Sequence, residues 1–317
     1  MRKQTEPAAV TPERPDDIKA VPVRHPGRWL AAVIVVVCAA SMVRFVVADS
    51  AIEWHVVGHY LFNSLIIKGA IATVYLSVLA MLMGIVLGVI AAVMRLSPNP
   101  ILKSVSWLYV FFFRGTPLLV QIVFWYNIAA LFPAPQHLID LGIPFGPALI
   151  HPDANNLITG FVAALFALGF NEGAYMSEIV RAGILSVPEG QSEAAASLGM
   201  SRGKIMRLIV LPQAMRVILP PTGNEFISMF KNTSLAEVIS FGELYYQAQA
   251  FYSQNYDTIQ LLIVISIWYL AMTSVLYVGQ YFLERKFGQG YSRNALIPLR
   301  DRWLAVDLDF LGLRRGR

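Results

Sequence analysis

The sequence predicts an all-α polytopic membrane protein with about six transmembrane helices and both termini in the cytoplasm. Three observations carry that reading: a composition too apolar for a water-soluble chain, long runs without charge, and a lopsided distribution of Lys and Arg. Apolar residues make up 56% of the 317 and charged residues only 14%, against roughly 45–50% and 25% in soluble domains. Mean hydropathy is +0.56. So few charges cannot cover the surface of a soluble protein of this length. The same composition is too apolar for a disordered chain, and a single cysteine, Cys38, excludes an intrachain disulfide framework. The formal net charge of +5 then concerns the sides of a membrane, not a nucleic acid.

Taken in order, residues 1–28 mix charge with five prolines and read as a disordered cytoplasmic tail. They lack the pattern of a secretory signal. Trp29 to Ala48 is about the 20 apolar residues that a span needs, with Arg44 placed to snorkel at its end. Gly69–Met94, Gly115–Gln136 and Thr258–Leu283 carry no charge over spanning length. Leu157 to Val180 is apolar except for Asn171, Glu172 and Glu178. Pro212 to Phe230 is the weakest run, with Pro212, Pro220, Pro221, Asn224 and Glu225 inside it. Its prolines predict a kinked helix packed among protein, not lipid. The stretch 133–156, rich in proline and glycine, is either an ordered external cap or a plain connector. Residues 286–317 form a second cytoplasmic tail. With the amino terminus inside, the inner segments hold 22 of the 25 Lys and Arg residues, and only Arg44, Lys68 and Lys231 lie outside. The reverse orientation breaks the positive-inside bias.

The inner stretch Ser186 to Pro221 reads SVPEGQSEAAASLGMSRGKIMRLIVLPQAMRVILPP. Pro188 suits the first turn of a helix. Gln191 to Leu198 is a short helix with a small-residue patch, Ala194, Ala195 and Ala196, and Gly199 breaks it. Ser201 is placed to cap a second helix, whose Ile205, Leu208 and Ile209 form an apolar stripe. Leu211-Pro212 is expected to end that helix at the membrane. Two short helices meeting at a glycine elbow, with Arg202, Lys204 and Arg207 beside them, suit insertion into a partner's groove.

Glu193-Ala194-Ala195, Gly199 and Ile209-x-Leu211-Pro212 resemble the EAA loop of permease subunits of bacterial ABC importers. Arg114-Gly-Thr-Pro-Leu-Leu-Val-Gln121, Ala174-Tyr175-x-x-Glu178-Ile-x-Arg181 and Lys231-x-Thr233-Ser234-Leu235 resemble elements of the polar amino-acid permeases of the histidine, glutamine and arginine type. The resemblance covers about residues 65–285 and implies a five-span importer domain, with 29–48 as an added span and 186–212 as the coupling loop. It implies that Glu193, Ala194, Ala195, Gly199, Ile209, Leu211 and Pro212 couple the chain to an ATPase. It implies these partners: two copies of an ATP-binding subunit, a second permease that is identical or related, an external solute-binding protein, an amino-acid substrate and a lipid membrane. The setting implied is the bacterial cytoplasmic (inner) membrane. The chain has no G-x-x-x-x-G-K-[ST] phosphate loop. It is therefore expected to bind no cofactor and to be no enzyme, with ATP and Mg used by the partner ATPase.

Ionisable groups inside a span cost roughly 2.5–3.5 kcal/mol at its centre for Asp, Lys or Arg, so they usually face a cavity or a partner. Asn171, Tyr175 and Glu178 share a helix face, and Glu172 lies about 100° round from Asn171. With Gln121, Asn224 and Lys231 they are the candidate substrate path. Each also has a structural reading: Glu178 pairing with Arg181, Lys231 pairing with Glu225 or Glu237, Asn224 and Gln121 bridging helices. Phe111–Phe113 and Trp125-Tyr126 read as packing. His55 and His59 lack acidic support for a metal site. An ion-gradient-driven secondary transporter would predict paired repeats and no elbow. An intramembrane enzyme would need a catalytic pair or metal set in the spans, and the sequence has neither.

Overall fold

The computed structural model describes residues 26–49, 52–131, 141–142, 148–150 and 153–287. Both tails, apart from their inner ends, and most of 133–156 lie outside the described residues. The chain divides into two compact units, one holding the first helix and the other spanning Ala51–Leu296. In the first, α1 (Pro26–Arg44) continues into a π-helical turn at Phe45–Asp49. Trp29, Val33, Val36 and Val43 stand exposed around it. A helix apolar on every side is one that hydrocarbon solvates better than water does.

The second unit is helical, apart from a small hairpin of β1 (Leu141–Gly142) and β2 (Ala148–Ile150) among the described residues. It opens with α2 (Trp54–Leu61) and α3 (Ser64–Leu96). Asn63 starts α3 by accepting the Leu65 N–H at 2.9 Å, and Asn99 starts α4 (Pro100–Gly115) through the Ile101 N–H at 2.9 Å. Then comes α5 (Leu118–Tyr126), set at 102° to α4.

This corner corrects the expectation of a span over Gly115–Gln136. Pro117 disfavours the helical region for the residue before it, and Thr116 is extended (φ −110°, ψ 145°). Among the described residues the uncharged run is thus a nine-residue helix and a 3₁₀ turn, Ile128–Leu131. Residues 100–115, expected in an inner loop, supply the other limb of a bent pair.

After α6 (Ala154–Leu157) come α7 (Gly160–Leu185), α8 (Glu189–Ser197), α9 (Arg202–Ile205) and α10 (Leu211–Asn232). A 3₁₀ segment (Thr233–Ile239) leads to α11 (Leu244–Asn255) and α12 (Thr258–Phe287). Trp29–Val47, α3 and α12 are long and apolar enough to cross a membrane, and the α4–α5 pair makes a fourth crossing if it is one span. At 1.5 Å per residue, α7 and α10 are roughly 39 and 33 Å long, but they carry charge or proline within.

The centre of the unit is α3 against α7. Gly84 and Gly88 of α3 meet Glu172 and Met176 of α7, where a Cβ on Gly84 would fall 2.6 Å from Glu172 Cγ. Small residues four apart let the two backbones approach as ordinary side chains would not. Beside them α10 runs through Pro220 and Pro221 as one helix. Thr222 Oγ1 donates to Ile218 O at 2.8 Å, and Gln280 Nε2 of α12 donates to Pro220 O at 3.4 Å.

Candidate functional site

The elbow forms where the sequence places it. Helix α8 starts after Pro188 and ends in a Schellman motif. Gly199 takes φ +76°, its N–H donating to Ala196 O at 2.9 Å and the Met200 N–H to Ala195 O at 3.2 Å. Glycine pays no Cβ penalty in that left-handed conformation. A Cβ there would meet nothing of this chain within 4 Å, so within the chain the glycine is needed for its backbone angle alone. Ala195 is buried, while Glu193, Ala194 and Ala196 are exposed and Leu198 is 84% exposed. A leucine is thus left bare among alanines on a polar loop.

Beyond the bend, three details differ from the sequence reading. Ser201 has the backbone of a cap, but its side chain makes no capping bond. The second helix does not stop at Leu211-Pro212; it passes through a π-helical turn, Met206–Val210, straight into α10. That wide turn also breaks the apolar stripe. Ile205 and Val210 are buried and Ile209 is half-buried, but Leu208 is 60% exposed.

A polar cavity of about 610 Å³ opens at the α4–α5 corner, lined by Arg114, Thr116, Asn171, Glu172, Tyr175 and Glu225, with Ser228 and Asn232 at its α10 side. Helices α4, α7 and α10 each contribute. Arg114 lies over the Tyr175 ring, 4.8 Å from its centroid. Glu172 is 5% exposed, and its Oε1 has no hydrogen-bond partner. Such a group is costly to bury alone.

The expected path residues divide. Asn171, Glu172 and Tyr175 line the cavity; Glu178, Asn224 and Lys231 do not. Glu178 pairs with Arg181 at 2.7 Å and Arg95 at 3.6 Å. Asn224 accepts from Gln280 Nε2 at 2.9 Å, joining α10 to α12, and Lys231 is exposed. Gln121 is buried beside the cavity and splints the corner. Its Nε2 donates to Phe113 O (2.9 Å), Thr116 O (3.1 Å) and Thr116 Oγ1 (2.8 Å), and its Oε1 accepts from Asn171 at 3.4 Å. Behind it, Phe113 and Trp125 stack on Phe170, with centroids 5.5 and 5.3 Å away, so this aromatic group is packing. The sequence reading missed Arg114 as a cavity residue and treated Glu225 only as an ion-pair partner. The proline three residues after Arg114 was the available signal that this arginine ends a helix at a corner.

Residues 84–289 match a family described as the inner membrane component of binding-protein-dependent transport systems. The chain is 45% identical, over 90% of its length and 88% of the relative's, to the arginine transport system permease protein of Corynebacterium glutamicum. It is 35% identical to the glutamine transport system permease protein of Escherichia coli, over 70% of this chain and 92% of that one. Among solved structures it is similar to an amino acid ABC transporter crystallised with histidines, at 37% identity and a TM-score of 0.59 over 70% of this chain and 94% of that one. At 17% identity it also shares the fold of the inward-facing MetNI methionine ABC transporter, with a TM-score of 0.54 over 70% of this chain and 96% of that one.

Proposed function

The chain belongs to the family of inner membrane components of binding-protein-dependent transport systems, and from that premise we propose how it carries its substrate. It is a multi-pass permease subunit of an ABC importer for polar amino acids, it binds no cofactor, and a separate subunit hydrolyses ATP. The elbow Glu189–Ile205 docks on that subunit, with the exposed Ala194, Ala196 and Leu198 as its contact face and Gly199 setting the bend. Glu193, Ala195, Ile209, Leu211 and Pro212 complete the coupling loop, 186–212. The core of residues 65–285 and the added span 29–48 give six crossings, with both termini on the inner side. A second permease, two ATPase copies and an external solute-binding protein complete the assembly.

The substrate passes through the polar cavity. One observation carries this: Glu172 is buried at the cavity wall with a carboxylate oxygen that no described residue satisfies. A cation arriving from outside supplies what the protein omits, and Glu225 on the facing helix adds a second carboxylate. Arg114 is placed to meet the substrate's own carboxylate. The favoured cargo is thus a cationic amino acid of the arginine kind, which agrees with the relative of 45% identity.

The test is uptake by the assembled transporter in proteoliposomes. Glu172→Gln should raise the KM for arginine by about ten- to a hundredfold, one charged hydrogen bond being worth about 1.5–3 kcal/mol, while assembly stays intact. Glutamine uptake, if present, should change little. Unaltered kinetics for every transported amino acid would reduce Glu172 to a structural group.

A further inference from the structure

The helix that leaves the elbow has an unusual root. Between Met206 and Val210 the chain winds as a π-helix, and the Leu211 N–H donates to Met206 O, five residues back. Pro212 accounts for part of this. In an α-helix its ring would press on Leu208 O, and it has no N–H to offer; an extra residue in the turn moves that carbonyl away. Proline alone does not suffice, because Pro220 and Pro221 sit in the same helix without a wide turn. Those two are flanked by Gln280 and Thr222, which bond the neighbouring carbonyls.

The wide turn occurs where the helix borders empty space. An apolar cavity of about 740 Å³ lies among α3, α7 and α10, lined by Met206 at the start of the turn and Leu211 just after it. Met176 and Met215 line it too, with Val89 and Leu219. The space is an open groove, with Val89, Val93, Met206 and Leu211 exposed along it, so no described residue confines the helix root on that side. Methionine is the side chain that best follows a moving wall.

Further along, the same helix carries Glu225, Ser228 and Asn232 into the polar cavity. One residue of helical register corresponds to about 100° of rotation and 1.5 Å of travel. A small change of winding at the root therefore re-aims the carboxylate that faces Glu172. We propose that the π-turn Met206–Val210 is a hinge and the apolar cavity its clearance, so that a swing of the elbow reaches α10 as a change of winding and moves Glu225. This rests on the reading that the elbow docks on the ATPase. It differs from a rigid swing of the whole subunit, in which α3 and α10 keep their relative position.

The experiment measures that relative position in the full permease–ATPase complex. Cys38→Ser removes the native thiol, and spin labels are placed at the exposed residues Leu82 on α3 and Arg216 on α10. Pulsed EPR compares nucleotide-free and vanadate-trapped complexes in nanodiscs. The hinge predicts a label distance that shifts between the two states. Pro212→Ala, which lets the turn wind as α, should abolish most of the shift. Leu219→Trp, which fills the clearance without touching the turn, should do the same, and it decides alone if Pro212→Ala fails to assemble. A static distance in a complex that couples ATP to uptake overturns the hinge but leaves the docking reading intact, as does a shift that survives both variants. A chain that copurifies with no ATPase sinks the docking reading and the hinge together.

Discussion

Two buried carboxylates, Glu243 and Glu172, separate the part of the molecule that is tied from the part that has play. Past the far end of α10, Glu243 is fully buried and every direction around it is answered. Its Oε1 caps α11 through the Tyr246 N–H (2.8 Å), and its Oε2 accepts from Tyr269 OH (2.9 Å) and Thr73 Oγ1 (3.5 Å). Thr73 Oγ1 in turn accepts the Leu244 N–H at 3.3 Å. Trp268 Nε1 donates to Leu61 O at 2.8 Å, and Asn255 Nδ2 to Tyr60 OH at 2.9 Å, so α2, α3, α11 and α12 are joined. Glu172 is buried almost as deeply and has an unanswered oxygen. Toward the elbow the helices border an open apolar groove and a π-turn. A satisfied buried charge fixes structure; an unsatisfied one keeps a place for something else.

The largest effect should come from untying Glu243. Glu243→Leu strands the Tyr246 N–H and the Tyr269 hydroxyl, at a cost of about 3 kcal/mol. Thermal unfolding of the detergent-solubilised protein should show a large fall in Tm, whereas Glu172→Gln should leave Tm unchanged or raise it. Equal falls for both variants would erase the distinction between the two carboxylates.

Next comes the contact that holds Glu172 in place. A Cβ on Gly84 would stand 2.6 Å from Glu172 Cγ, so Gly84→Ala should push the carboxylate away. Overpacking of this kind costs about 1–3 kcal/mol. Arginine uptake should fall further than the amount of assembled transporter, as measured by quantitative blotting of the same vesicles. Parallel falls would show that only packing had been lost.

The smallest change in stability is expected at Gly199, where φ is +76° and space is open. Gly199→Val should strain the bend by about 1–2 kcal/mol and lower uptake per ATP hydrolysed. Gly199→Asn, which tolerates this backbone region, should retain coupling if the glycine serves its angle. If it serves close approach of a partner, both variants should fail alike. ATP turnover and uptake measured in parallel separate the two.

The helices over Trp29–Ala48, Gly69–Met94 and Thr258–Leu283 and the bend at Gly199 are legible because hydropathy and glycine act locally. Gly115–Gln136 misled because hydropathy sums side chains and is blind to a backbone corner; Thr116-Pro117 carried that information in two residues. Leu208 misled for a related reason. Its place in an apolar stripe assumed 3.6 residues per turn, and the π-turn at Met206–Val210 changes the period there. Pro212 read as a helix stop, but a wide turn lets the helix continue past it. The polar cavity was only partly visible, since Arg114, Glu172 and Glu225 come from three helices and no sequence spacing relates them. Glu243 leaves no mark in the sequence because its partners Thr73 and Tyr269 lie far from it along the chain.

The splint at Gln121 has a consequence for how such a protein changes over time. The corner between α4 and α5 has no continuous backbone ladder across it; one amide gathers the carbonyls of Phe113 and Thr116. Asn171 Nδ2 reaches the same Phe113 carbonyl at 2.8 Å. The shape of the corner beside the polar cavity is therefore set by the reach of two side chains. An exchange of glutamine for asparagine, or the reverse, resizes the opening while the length and hydropathy of every span stay as they are. Lineages can thus retune what fits through without redesigning how the protein sits in the bilayer.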